Sequence, residues 1–158
     1  MREKKSNTDL KVCIACSPGG HLVQAKQLAE IYERYEHFYF TFRGPLATAL
    51  GEKARVRAIP NITRYNPLSW LIGFITSVYI AIIERPDVII TTGAGVVVFF
   101  CMFAKVLGAK LIFIESLSKV NNPTLTGRIL YPFTDLFIVQ RSELLRFFPR
   151  ARFLGRLF

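Results

Sequence analysis

Two short glycine turns and one isolated acid are the places in this sequence where residue type and spacing suggest chemistry. Ser17-Pro18-Gly19-Gly20-His21 sets two glycines just ahead of an imidazole. Glycines leave backbone amides open to a ligand, and a helix starting there favours negative charge, so a phosphate suits the turn. His21 would begin that helix, placed to act as general base on a hydroxyl or to donate to a phosphate. The same residues also read as a turn that needs glycine only for tight geometry, with His21 as a cap. Spacing leaves these two readings level, because neither glycine turn completes the G-x-G-x-x-G dinucleotide fingerprint.

The second turn, Thr92-Gly93-Ala94-Gly95, adds the hydroxyls of Thr91 and Thr92 to further glycine amides. Glu115 closes a wholly apolar run, a position where an acid is costly unless it faces solvent or a ligand. Its plainer role is to cap Ser116 or to pair with Lys119 or Arg128. Arg43 follows an aromatic run and could reach the same place, or be merely solvated. Cys13 and Cys16 resemble a redox or zinc pair, but an offset of three on a strand sends the two side chains to opposite faces. No second such pair completes a metal site, so none is expected. Three cysteines in all argue for a reducing compartment without a disulfide framework.

These residues need elements to position them, and the periodicities supply a set. Residues 10–16 read as a buried strand, and residues 21–35 carry helical spacing through Leu22, Ala25, Leu28, Ala29 and Ile31. An aromatic strand over 37–42, a helical turn over 46–53 and a short strand over 55–59 follow. Residues 67–83 should be helical. A strand over 87–91 runs into the second glycine turn, which feeds a helix over 96–107 and a strand over 110–114. Beyond a turn at Asn121-Asn122-Pro123 come a helix over 125–131, a strand over 136–139 and a short helix over 142–147. Strands alternating with helices imply an α/β fold, a Rossmann-like parallel sheet with helices on both faces and right-handed crossovers. Ligands of such sheets bind outside the carboxyl ends of the strands, so both glycine turns and Glu115 should share one rim.

Composition narrows the partners. A chain of 158 residues that is 51% hydrophobic suits one domain over residues 1–158, with a polar tail over 1–9. The net charge of +10 would attract polyanions, phosphates or anionic lipids. Its mean hydropathy of +0.31 is high for so basic a chain, which favours a membrane surface. Nucleic acid is not expected, since neither zinc-finger spacing nor an RNP-like aromatic signature is present. The segment 67–83 has almost no polar helical face. At about 25 Å it falls short of a hydrocarbon core of about 30 Å, so lying in the interface is preferred to spanning. Trp70, Leu71, Phe74, Ile75 and Val78 would face lipid, with Arg64 and Arg85 meeting phosphates at the two ends; burial against a partner subunit is the competing role.

Several runs together carry a family resemblance that covers nearly the whole chain. They are Ser17 to His21, Thr92 to Gly95, Phe113-Ile114-Glu115-Ser116, Gly127 to Pro132 with Asp135, and Val139-Gln140. The sequence resembles the Alg-fourteen family, including the bacterial PssD and EpsE types of capsule and exopolysaccharide synthesis. The resemblance implies the N-terminal half of a GT-B glycosyltransferase of the MurG kind, with a separate Alg-thirteen-like chain supplying the donor-binding half. It implies transfer of a sugar from a UDP-sugar, held mainly by that partner with no tightly bound cofactor, to a polyprenyl-diphosphate-linked acceptor. The family's histidine maps onto His21 and its acid onto Glu115, as catalytic residues. From the turns themselves and from their place on the rim, Ser17, Gly19, Gly20, Thr92, Gly93, Gly95 and Arg43 are expected to contact the acceptor and its phosphates. Eukaryotic members carry an N-terminal anchor, whereas this sequence opens Met1-Arg2-Glu3-Lys4-Lys5-Ser6, so another segment is expected to hold it at the cytoplasmic face of the membrane, peripherally or monotopically. The alternative is a nonenzymatic module that recruits or activates a complete glycosyltransferase.

Overall fold

The computed structural model describes residues 9–63, 65–95, 97–119 and 122–157. Seven parallel strands form its sheet: β1 (Lys11–Cys16), β2 (Glu36–Phe42), β3 (Val56–Ile59), β4 (Val88–Gly93), β5 (Lys110–Ile114), β6 (Leu136–Val139) and β7 (Arg152–Phe153). Their order is β3-β2-β1-β4-β5-β6-β7, so the chain winds outward in both directions from β1 and β4. The helices are α1 (Gly20–Lys26), α2 (Ala29–Tyr32), α3 (Pro45–Gly51), α4 (Pro67–Glu84), α5 (Val97–Val106) and α6 (Leu125–Leu130). Strand side chains alternate between two cores. Cys13, Ala15, Phe38, Phe40, Ile89, Leu111 and Phe113 meet α4, α5 and α6 on one face, while Val12, Ile14, Cys16, Tyr39 and Ile90 meet α1, α2 and α3 on the other. Cys13 and Cys16 thus point to opposite faces, both buried as free thiols. Burial pushes the Cys16 thiol up to about 12, which leaves it an inert core residue.

Local chemistry sets the ends of the elements. Asn66 caps α4, its side-chain oxygen accepting from the amides of Leu68 and Ser69, and Pro67 takes the first helical position. One stripe of α4 is buried, Gly73, Ser77, Ile80, Ala81 and Glu84. Gly73 is there for close approach, since a Cβ would run into Ile62. At the far end of α4 the buried Glu84 carboxylate receives Lys11 at 2.6 Å, Arg55 at 3.0 Å and Arg57 at 2.5 Å, pinning the helix to the amino ends of β1 and β3.

Three expectations change. The helix expected over 21–35 divides into α1 and α2, because Gln27 and Leu28 bond back to Gln24 and Ala25 in i→i+3 fashion and tighten the chain there. The segment 142–147 is a 3-10 turn, Ser142–Arg146, and Pro132 turns the end of α6 into a second one, Tyr131–Phe133. The strand β7 carries no signal in the sequence: it is two residues long and exposed. Arg64, Asn121 and most of the polar tail lie outside the described residues.

Candidate functional site

The rim at the carboxyl ends of β1, β4 and β5 holds all three features singled out in the sequence. β1 and β4 are neighbours, with Cys16 in register with Gly93, so the first glycine turn leaves the sheet beside the second. Gly19 has φ +97°, a conformation that favours glycine, and stands exposed with Gly20 ahead of α1. A Cβ on either of these glycines would meet nothing within 4 Å, so the backbone there is open to approach. Ser17 is half-buried beside them.

The two turns are tied together. The Thr92 hydroxyl donates to the backbone carbonyl of His21 at 3.3 Å, and the Gly93 amide donates to the Thr91 hydroxyl at 3.1 Å. Thr91, Thr92 and Gly93 are buried, which spends their polar groups on holding the rim. Gly93 has φ +93°, and a Cβ there would reach the Phe113 ring at 3.4 Å. Of this turn Gly95 is the residue left exposed. Arg43 also stands exposed on the rim, at the end of β2, one strand away from β1.

The His21 imidazole is half-buried, and its Nδ1 is an interior atom with no hydrogen-bond partner. Burial lowers its pKa from the ordinary value, opposed in part by the Thr92 backbone. A ring held neutral in this way is able to accept a proton near neutral pH.

Glu115 is fully buried, with a defined set of donors. Its Oε1 accepts from the Ser116 amide at 2.9 Å; its Oε2 accepts from the Thr124 amide at 3.2 Å and the Thr124 hydroxyl at 3.0 Å. Thr124 in turn caps α6 through the Gly127 amide. Burial raises the Glu115 carboxyl above the usual range, and the Ser116 and Thr124 hydrogen bonds work against that rise. Gln140 donates to the Glu115 carbonyl at 3.0 Å, and Arg141 to the Leu117 carbonyl at 3.2 Å. Glu115 therefore organises the loop after β5 and the start of α6. The Ser116 capping foreseen from the sequence is present, whereas Arg128 lies over the Phe147 ring, 5.9 Å from its centroid. Sequence reasoning missed Thr124, although a threonine ahead of an apolar turn is a legible cap signal; Gln140 stood among the runs that carry the family resemblance, but its bridge to the Glu115 carbonyl had no signal.

Away from the rim, α4 presents Leu71 and Ile75 outward at 54% and 57% exposure. Trp70 and Phe74 use part of their rings against Phe99 of α5, at 6.2 and 5.3 Å between centroids, and Val78 is half-buried. Arg85 caps the far end of the helix in the left-handed region, at φ 42°. Among the described residues no His, Cys, Asp and Glu cluster could hold a metal ion.

Comparison with known proteins adds three kinds of likeness. The family model described as "Oligosaccharide biosynthesis protein Alg14 like" matches residues 45–157. The UDP-N-acetylglucosamine transferase subunit alg14 of Schizosaccharomyces pombe is 34% identical over 118 residues, covering 65% of this chain and 56% of that protein. The subunit ALG14 of Yarrowia lipolytica is likewise 34% identical, over 65% of this chain and 50% of its own length. The chain thus spans about half the length of these curated relatives. Among solved structures, MurG of Acinetobacter baumannii superposes with a TM-score of 0.73 at 15% identity, over 93% of this chain and 45% of MurG. A UDP-N-acetylglucosamine 2-epimerase of Rickettsia bellii gives 0.74 at 12% identity, over 94% and 45%. At such identities the structural likeness speaks for the fold.

Proposed function

The chain belongs to the family of Alg14-like oligosaccharide biosynthesis proteins, and from that membership we propose that it is the acceptor-side subunit of a two-chain glycosyltransferase. It binds a polyprenyl-diphosphate-linked acceptor and recruits an Alg13-like chain that holds the UDP-sugar. The names of its relatives favour UDP-N-acetylglucosamine as the donor, and the setting we favour is exopolysaccharide or capsule synthesis. The single observation that carries the reading is the rim, where Thr92 of the second glycine turn holds His21 at the mouth of the first.

In this mechanism the acceptor diphosphate lies against the exposed Gly19, Gly20 and Gly95 backbone, with Ser17 and Arg43 at its edge. The acceptor hydroxyl meets the solvent-facing side of the half-buried His21 ring, which takes its proton as the hydroxyl attacks the sugar carbon and UDP departs. Thr92 and Gly93 fix the turn, and Glu115 fixes the neighbouring loop. The helix α4 lies in the membrane interface at the cytoplasmic face. Its inner stripe is packed on the fold and its far end is pinned through Glu84, which suits a helix lying flat more than one crossing the bilayer.

Reconstitution tests the reading. The purified chain alone should give no transfer, and adding the Alg13-like subunit should restore it, because the reaction needs donor and acceptor held across a cleft. In the restored pair His21→Ala should lower kcat by about 10²- to 10⁴-fold. The wild-type rate should fall as pH drops through a His21 value displaced below the ordinary ~6.5. Robust turnover by the isolated chain, or a folded His21→Ala protein with near wild-type kcat and acceptor KM, would refute the subunit role or the His21 role respectively.

A further inference from the structure

A second apolar surface lies in the same helical layer as α4. Ile80 and Ala81 of α4, Phe100 and Cys101 of α5, and Leu130 of α6 belong to one core on one face of the sheet, so the outer sides of these helices look away from the sheet together. Along α6 and the 3-10 turn that follows it, Leu125, Ile129 and Phe133 recur every four residues, and all three are exposed. Phe147 joins them, also exposed. The guanidinium of Arg146 stands 4.7 Å from the Phe147 ring centroid and that of Arg128 stands 5.9 Å from it. The surrounding segment, residues 122–157, carries six arginines against Asp135 and Glu143.

We propose that this edge, Leu125, Ile129, Phe133 and Phe147 with Arg128 and Arg146, is a second membrane-contact site that binds anionic phospholipid headgroups. The inference rests on the reading of α4 as a membrane helix and adds a separate, charge-selective footing to it. Three features of the surface select lipid as the occupant. A planar surface meeting the outer side of α4 also faces this edge, since both belong to one layer. The two cations are held on the ring of an exposed phenylalanine, at the margin of an apolar stripe, which places charge at headgroup level while carbon enters the acyl boundary. The charge balance of the segment complements an anionic leaflet.

The test uses the full chain with phosphatidylcholine vesicles, with and without phosphatidylglycerol, read by co-sedimentation over a salt series. Arg128→Ala with Arg146→Ala should weaken binding to the phosphatidylglycerol vesicles by about 10- to 30-fold at low salt and flatten the salt dependence. Binding to phosphatidylcholine alone should be unchanged. Ile129→Ser with Phe133→Ser should weaken binding to both vesicle types, and an unchanged thermal unfolding curve for each variant keeps the comparison valid. A second charge variant, Arg128→Glu alone, covers the case in which the double variant fails to fold. If all these variants bind anionic vesicles as the wild type does, while substitutions on α4 abolish binding, this proposal fails and the α4 reading stands. If they instead lose capture of the Alg13-like subunit with vesicle binding intact, the edge is a protein interface and the proposal is overturned. Failure of the wild type to bind either vesicle overturns both readings.

Discussion

At the scale of single residues, Gly127 tests whether Glu115 organises the rim. An alanine would ordinarily favour a helix by about 1 kcal/mol over glycine. Here its Cβ would stand 2.5 Å from the Glu115 Oε2 and 2.9 Å from the Thr124 hydroxyl. Neither group is free to move, because the carboxylate is held by the Ser116 and Thr124 donors. Overpacking of this kind costs about 1–3 kcal/mol, so the strain outweighs the propensity gain and Gly127→Ala should destabilise the protein in urea unfolding. Stabilisation by this substitution would show that the Glu115 cap is loose. Glu115→Gln should also destabilise, by about 1–3 kcal/mol, because its amide group must face donors that the carboxylate accepts.

Between elements, the sheet is held in register by groups at the amino ends of its strands. Asp135, just ahead of β6, accepts from the Leu111 amide at 2.8 Å and pairs with Lys110 at 3.1 Å and with Lys105 of α5. Burial raises its carboxyl, but the Lys105, Leu111 and Lys110 hydrogen bonds outweigh that and hold it at about 2. A depressed folded pKa means that the stabilisation is present above the ordinary carboxylate value and is lost as pH falls through the folded one. Asp135→Asn should therefore cost about 1–2 kcal/mol near neutral pH. The gap between variant and wild type should close as the pH of the unfolding experiment approaches 2. A gap that is constant with pH would mean that the charge of Asp135 contributes nothing.

For the whole molecule, the membrane reading is best tested on residues that the fold does not use. Trp70 and Phe74 are partly engaged with α5, so replacing them mixes binding with stability. Leu71 and Ile75 are more exposed. Burying one such side chain is worth about 1.5–3 kcal/mol, so Leu71→Glu with Ile75→Glu should lower vesicle partitioning by more than about tenfold with an unchanged Tm. A soluble variant that still partitions like the wild type would remove α4 from the membrane.

The sequence by itself determined the alternation of strands and helices, the two glycine turns, the apolar character of α4 and the family resemblance. These are local signals: period, turn chemistry and runs of residue type survive without knowledge of what lies opposite. It also placed Cys13 and Cys16 on opposite faces, because side-chain alternation along a strand is a property of the backbone. The division of the first helix, the 3-10 turns and β7 were decided by tertiary structure, since they depend on tight i→i+3 bonding and on pairing with β6 across intervening chain. The same holds for the site. Sequence could nominate Thr92 and Gly93 as ligand contacts, but only the fold brings Thr92 to His21, 71 positions away, and spends both groups internally. It could likewise nominate Glu115 as an acid at a strand end, while its three donors and the Gln140 bridge come from the meeting of β5, β6 and α6. Long-range hydrogen-bond partners carry no periodic trace in a single sequence, which is why the residues at the rim were legible and their division of labour was not.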